Sequence, residues 1–176
     1  NAFASSLQLA LQTKRRIIIV DTPDSVTKWI TTVAVALPNS LLDHLTFTTY
    51  NKNPYNNDTL ICGTTNDSDF RFSQSEIAHQ FYVFDFENSR FSDPSPETKF
   101  SKSLLLWYKS DSPSESQQFR NFTDCLKIPW EIEDLDHLID LYNLVYNNEQ
   151  TEGEVLGSIK YIIERNLYGF SAVLIP

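Results

Sequence analysis

The sequence is poor in several residue types, and each shortage narrows the class of protein it can encode. Only four residues are glycine and two are cysteine. No apolar run approaches the ~18 residues typical of a membrane-spanning helix, and no basic leader precedes an apolar stretch, so we expect neither a membrane segment nor a signal peptide. Cys62 and Cys125 are too few for a disulfide framework or a metal knuckle, and we expect two buried, unpaired thiols.

Methionine is absent altogether, even from position 1. A chain that starts at its own first codon would carry it, so we expect a domain excised from a longer multidomain protein. Asn1 and Ala2 resemble the remnant of a cleaved tag, and the sequence stops abruptly at Pro176. The termini are therefore expected to be chosen boundaries.

Basic side chains are scarce as well: 14 Lys and Arg face 23 Asp and Glu, for a net charge of −9. Nucleic-acid binding depends on clustered cations, so this balance argues against a nucleic-acid partner. The single basic cluster, Lys14 to Arg16, follows a predicted helix over Ala4 to Thr13, where cations would favour the helix dipole.

What the chain does contain is a well-patterned apolar sequence, 41% hydrophobic and 13% aromatic, long enough for one domain with a real core. Ile17 to Val20 is β-branched, and Leu45 to Tyr50 is again typical of a strand. Between them Thr22 is suited to cap a helix and Pro23 to begin it. The apolar positions of that helix recur at helical spacing and are Val26, Trp29, Ile30, Val33 and Leu37.

The following stretch predicts further strands. Only eight residues separate Leu45–Tyr50 from a strand over Thr59–Thr64, which favours an antiparallel hairpin. Gly63 within it indicates a bulge or a close backbone approach. Phe81–Phe86 predicts a fourth, buried strand.

Residues 87–97 are rich in Ser, Pro, Asp and Asn and are predicted to be a linker around Pro94. Beyond it, apolar spacing predicts helices over about 100–107, 113–126, 133–146 and from 152 onward, with Phe119, Phe122, Leu126 and Val145 among the inward positions. Ser112 and Thr151 are candidate caps, and Phe170 to Ile175 fits either a closing strand or a helix end.

The predicted fold class is therefore α/β. Residues 1–93 are expected to form a small mixed sheet of about four strands covered by helices, and residues 94–176 an all-helical subdomain packed on that core.

Candidate chemistry centres on Asp21 and Asp85, which follow or end predicted strands and could share a Mg²⁺ if both strand ends lie at one sheet edge. The alternative is that Asp21 only decorates a helix N-terminus. The turn after the first strand lacks glycine and carries two acids, which disfavours a phosphate pocket. His44, His79 and His137 show no spacing typical of a zinc site or a triad, so no catalytic residue, metal or cofactor is assigned.

Residues 128–159 contain eight acids and no Lys or Arg. Such a block is either a solvated face or a docking surface for a basic partner.

Several short motifs follow one another in an order found in one bacterial family: Trp29 in a helix, Leu37-Pro38, Leu45-Thr46-Phe47-Thr48-Thr49-Tyr50, Asn53-Pro54 and Ile61-Cys62-Gly63-Thr64. Over residues 15–86 the chain resembles the middle domain of the bacterial GTPase-associated protein family. The helices after residue 100 lie outside the resemblance.

The resemblance implies a non-catalytic interaction or adaptor domain of a cytoplasmic protein in a bacterial conflict or defence system, with a protein partner that could be a GTPase and with no membrane partner. The alternative function is a Mg²⁺-dependent phosphoryl-transfer or phosphohydrolase enzyme that uses Asp21 and Asp85.

Overall fold

The computed structural model describes residues 2–72, 80–92, 95–110, 113–147 and 152–173. Its first half comprises helix α1 (Ala2–Thr13), strand β1 (Arg16–Val20), helices α2 (Pro23–Ala36) and α3 (Asn39–Leu42), and strands β2 (Phe47–Thr48), β3 (Ile61–Thr64), β4 (Phe81–Asp85) and β5 (Arg90–Phe91). Its second half comprises helices α4 (Lys99–Lys109), α5 (Pro113–Cys125), α6 (Leu135–Tyr146) and α7 (Glu152–Val173), with 3₁₀ turns at Pro54–Asn56 and Ile132–Asp134. In the described residues, no helix is both long and apolar enough to cross a membrane.

The strands form one mixed sheet in the order β2-β3-β1-β4-β5. The first four are mutually parallel, and β5 runs antiparallel to β4. The predicted α/β class with a mixed sheet is confirmed, with five described strands where about four were expected.

Strand β1 lies in the middle of the sheet and is buried on both faces, which explains its unbroken run of β-branched residues. Ile17 and Ile19 pack toward α1 and α2, in a core that continues into α4, α5 and α6. Ile18 and Val20 face the opposite side. That second face is covered by the aromatic side chains Tyr55, Phe70 and Phe72.

The predicted antiparallel hairpin is wrong. Strands β2 and β3 are parallel, with Phe47 opposite Ile61 and Thr48 opposite Cys62. The strands are shorter than the sequence pattern indicates, so their connection spans residues 49–60. Roughly a dozen residues are enough for a crossover between parallel neighbours.

Gly63 marks a close backbone approach, one of the two predicted alternatives. A Cβ built on it would overlap the carbonyl oxygen of Thr49 and lie 3.0 Å from Cγ1 of Val26. The Asn51 amide also donates to the Gly63 carbonyl at 2.8 Å. The chain leaving β2 therefore lies directly against β3, where only glycine leaves room.

The predicted linker over residues 87–97 is wrong in its first part. The chain turns back after β4 with Ser89 at φ 53°, and Arg90 and Phe91 then pair with β4 as strand β5. Asp85 closes this turn by accepting from the Asn88 amide at 2.9 Å. Pro94 lies outside the described residues, and Ser95 is buried and hydrogen-bonded to Ser6 at 2.9 Å.

Arg15 and Arg16 of the basic cluster bind groups of the sheet and of the loop beside it. They do not lie in the last turn of α1, which contains no basic residue. Arg15 donates to the Phe81 carbonyl at 3.1 Å, and its guanidinium lies 3.9 Å from the ring centroid of Tyr82. Arg16 donates to the Tyr55 and Asn57 carbonyls and covers the Phe81 ring. The predicted dipole role is therefore wrong for Arg15 and Arg16.

The C-terminal helices follow the predicted order. Helix α4 begins with a capping box in which Thr98 and Ser101 exchange side chain to backbone hydrogen bonds. The predicted caps Ser112 and Thr151 lie outside the described residues. Helix α7 continues to Val173, so the helix alternative holds there and a closing strand from Phe170 does not form within the described residues.

Three expected burials are wrong, all near helix ends. Cys62 is buried and Cys125 is exposed, and neither is paired. Leu126 is 41% exposed and Val145 59% exposed. Cys125 is the last residue of α5, and beyond it the chain turns away with Lys127 at φ 52°, so the helical face no longer meets the core.

Candidate functional site

The two carboxylates of the predicted magnesium pair lie on opposite sides of the sheet. Asp85 pairs with Val20 in the parallel register, so both side chains share one face. Asp21 follows Val20 and lies on the helix-covered side, where its carboxylate accepts from the Thr22 amide at 2.7 Å. The structure does not bring Asp21 and Asp85 to a common point.

Asp85 is also fully committed to protein partners. It is completely buried, and one carboxylate oxygen accepts from Nη2 of Arg90 at 2.6 Å and from Nε at 2.9 Å. Asn88 binds both oxygens through its side-chain amide. Within the described ranges, no cluster of three or more His, Cys, Asp or Glu side chains could hold a metal ion.

His137 takes part in a polar network that joins three helices. Its Nδ1 lies 3.1 Å from Oγ of Ser158, which donates to Asp140 at 2.8 Å, and Asp140 also accepts from Nζ of Lys99 at 2.7 Å. The His137 ring stacks on Tyr161 with centroids 4.0 Å apart. The sequence did not reveal this network because its members come from α4, α6 and α7.

The network lacks the arrangement of a hydrolytic triad. In a triad the histidine accepts the serine proton, whereas Ser158 gives its only proton to Asp140. His137 Nδ1 must therefore be the donor to Ser158. Ser158 is 2% exposed, so a substrate has no access to it. Of the other histidines, His44 is exposed and His79 lies outside the described residues.

Some acids of the block over residues 128–159 accept hydrogen bonds from other groups of the same chain. Asp136 accepts from the Phe100 amide at 3.0 Å, at the N-terminus of α4, where the helix dipole favours a carboxylate. Asp134 accepts from the Glu131 amide at 2.8 Å. Burial alone would lower the pKa of Lys99, but hydrogen bonds and charges from Asp140 and Glu154 raise it above its ordinary value.

A groove of about 900 Å³ lies between α2 and α4. Its lining combines apolar, hydroxyl and charged side chains, namely Asp21, Ser25, Thr27, Lys28, Trp29, Thr31, Thr32, Val35, Leu104, Trp107, Tyr108, Lys109 and Ser116. This volume falls in the range of ~300–1,000 Å³ common for ligand sites.

Aromatic contacts hold the groove lining in place. Trp29 stacks on Phe86 with centroids 4.9 Å apart, and Trp107 packs on Phe119 at 5.4 Å. Trp107 is buried, whereas Tyr108 is 66% exposed and stands at the rim. The groove therefore has a rigid apolar floor and an accessible aromatic edge.

Some polar groups of the groove are hydrogen-bonded within their own helix, whereas others are available to bind a partner. The Thr27 and Thr32 hydroxyls donate to the Pro23 and Lys28 carbonyls of their own helix, both at 2.8 Å. Lys28 and Lys109 are exposed and form no ion pair with any residue that the structure describes. Two cations are thus available at this surface.

Sequence reasoning missed this groove because it treated Trp29 only as one of the apolar positions of its helix. One signal could have indicated it: each wall carries an aromatic residue beside a lysine, Lys28-Trp29 on α2 and Tyr108-Lys109 on α4. The pairing becomes informative only once the two helices are known to be neighbours.

A match to a known protein family covers the N-terminal half of the chain. Residues 1–88, which include α1, α2 and strands β1 to β4, match the family described as GTPase-associated protein 1, middle domain. The chain belongs to this family. No curated protein and no solved structure matches the chain.

The match to the GTPase-associated protein 1 middle domain divides the groove. Lys28, Trp29 and the rest of the α2 wall lie inside the matched range, whereas Leu104 to Lys109 of the α4 wall lie beyond it. The groove is thus built where the family domain meets the helices that follow it.

Proposed function

We propose that this chain is a non-catalytic interaction domain through which a GTPase-associated protein recruits a protein partner, most directly a GTPase. The observation that carries the proposal is membership of the GTPase-associated protein 1 middle-domain family. The proposed setting is an adaptor in a bacterial conflict or defence system. A cytoplasmic location is part of the proposal, because GTPases work there and because Cys62 and Cys125 are unpaired thiols.

The geometry favours binding over catalysis. Every polar cluster described above is saturated by internal partners: Asp85 by Arg90 and Asn88, Ser158 by Asp140. By contrast, the α2/α4 groove presents apolar surface and available cations to solvent. A concave surface that combines apolar area with placed polar groups is the usual form of a binding site.

The proposal is tested with the purified protein and a GTPase of the same organism. Both are purified and mixed with the GTPase loaded with GDP or with a non-hydrolysable GTP analogue, and complex formation is followed by size-exclusion chromatography. We expect a complex in at least one nucleotide state. Absence of a complex in both states contradicts the proposal.

The enzyme alternative makes its own forecast, which the same preparation can check. A magnesium site at Asp21 and Asp85 requires Mg²⁺ or Mn²⁺ to raise the melting temperature, since a ligand that binds the native state stabilises it. We expect no such shift. A rise that disappears in Asp21→Asn would favour the enzyme.

A further inference from the structure

We propose that the α2/α4 groove binds an acidic amphipathic helix of the partner. The inference rests on the proposed function, because it names the surface and the chemistry by which that partner docks. Three properties of the groove lead to it: its length, the absence of a strand edge in its walls, and its charge.

The length of the groove suits a short helix. The α2 residues that line it run from Ser25 to Val35, and among them Ser25, Lys28, Thr32 and Val35 follow one another at spacings of three and four. Ten residues of helix rise about 15 Å, which corresponds to roughly three turns of a partner helix lying alongside. Trp29, Leu104 and Trp107 offer apolar contacts along this distance.

The walls favour a helical occupant over an extended one. Both walls are helices whose interior backbone groups bond within the helix, so they offer no strand edge to an extended peptide. An extended segment buried there would leave its own amides and carbonyls unpaired, at a free-energy cost. A helix brings its backbone already paired and needs only side-chain contacts.

The charges select an acidic partner. Lys28 lies on one wall and Lys109 on the other, and neither forms an ion pair with a described residue. Asp21 is the one acid among the described residues of the groove lining, and its carboxylate accepts from the Thr22 amide, so the two lysines leave the lining net positive. The chain as a whole carries −9, so an acidic segment is repelled from most of the surface and attracted here. Such complementarity fixes the register of a docked helix and excludes basic competitors.

The test uses a displayed library of random 16-residue peptides selected on the immobilised chain. Selected peptides are labelled, and their affinity is measured by fluorescence anisotropy. We expect enriched sequences with apolar residues at i, i+3 or i+4 and i+7 flanked by Asp or Glu, and a gain in helicity on binding.

Groove variants with matched controls decide whether these peptides bind where proposed. Lys28→Glu/Lys109→Glu should weaken binding at least about tenfold, whereas the exposed pair Lys52→Glu/Lys127→Glu, with the same change in net charge, should weaken it less than about twofold. Tyr108→Ala should weaken binding, and Leu106→Ala, equally exposed but outside the groove lining, should not.

Recovery of no groove-dependent peptide, or enrichment of basic ones, would overturn the inference. All variants are first compared with the parent chain by circular dichroism and thermal melting, and Lys28→Gln/Lys109→Gln repeats the test without introducing repulsion. GTPase binding that survives Lys28→Glu/Lys109→Glu would refute the groove and leave the proposed function intact. Groove-dependent peptides without any GTPase complex would refute the proposed function alone.

Discussion

At the scale of single residues, Gly63 is a position where the fold leaves no room for a side chain. The Thr49 carbonyl occupies the space that any side chain at Gly63 would need. Backbone cannot rotate aside as a flexible side chain does, so relief requires β2 and β3 to separate. This residue therefore fixes how closely the edge strand can pack.

Gly63→Ala should lower the free energy of unfolding by about 1–3 kcal/mol or more, because it overpacks a buried site. The matched control is Gly157→Ala in α7, where a new Cβ meets no atom within 4 Å. Alanine there should raise stability by up to about 1 kcal/mol through helix propensity. Urea denaturation measures both. Equal, small effects would contradict the close approach.

Ionisation of the buried Cys62 thiol makes the stability of the chain depend on pH. Burial raises the pKa of its thiol to about 11, against a lowering by the charge of Arg16. The unfolded chain, with a thiol pKa near 9.0, therefore loses this proton first as pH rises. The stabilisation is complete below pH 9.0 and is lost between 9.0 and about 11.

The free energy of unfolding should accordingly fall across that pH window, with Cys62 contributing up to about 1.4 kcal/mol per pH unit. Burial, with the charge of Glu115, also raises the pKa of Tyr142, so part of the slope should remain without the thiol. Cys62→Ala should therefore give a shallower slope than the parent chain in urea titrations at pH 9, 10 and 11. An unchanged slope would contradict a buried, protonated thiol.

At the scale of elements, the N-terminus of α4 is where the helical half is anchored. Thr98 and Ser101 cap it, Asp136 binds the Phe100 amide, and Asp140 binds both Lys99 and Ser158. Acids of α6 thus hold α4 and α7 in place. Part of the acidic block therefore connects helices inside the molecule and does not form a solvated face.

Asp140→Asn should lower the free energy of unfolding by about 1–3 kcal/mol, because the buried carboxylate is a charged hydrogen-bond acceptor for two partners. Glu133→Gln removes an exposed acid of the same block and should change stability by less than about 0.5 kcal/mol. Equal effects of the two substitutions on urea denaturation would show that the hydrogen bonds of Asp140 do not contribute to stability.

Elements determined by local signals were predictable from the sequence. Helix α2 begins at Pro23 after the Thr22 cap and ends before Pro38, and its buried side chains include the predicted Val26, Ile30 and Val33. The direction of β2 was not predictable, because it depends on β3 pairing in parallel with β1. Local spacing carries no information about that pairing.

At the scale of the whole molecule, the family domain and the following helices share one core. The apolar cluster that contains Leu7 and Val33 also contains Trp107 and Leu138. Division into an α/β core over residues 1–93 and a helical subdomain over 94–176 remains our proposal. The α2/α4 groove depends on both parts, which is why neither the motifs of the first half nor the helical pattern of the second could predict it.

The most direct test of the central claim is a calorimetric titration of the chain with a GTPase of the same organism. The GTPase is loaded with GDP in one titration and with a non-hydrolysable GTP analogue in the other. We predict measurable affinity in at least one nucleotide state, with a dissociation constant of about 10 μM or tighter. Absence of binding in both states would contradict the claim.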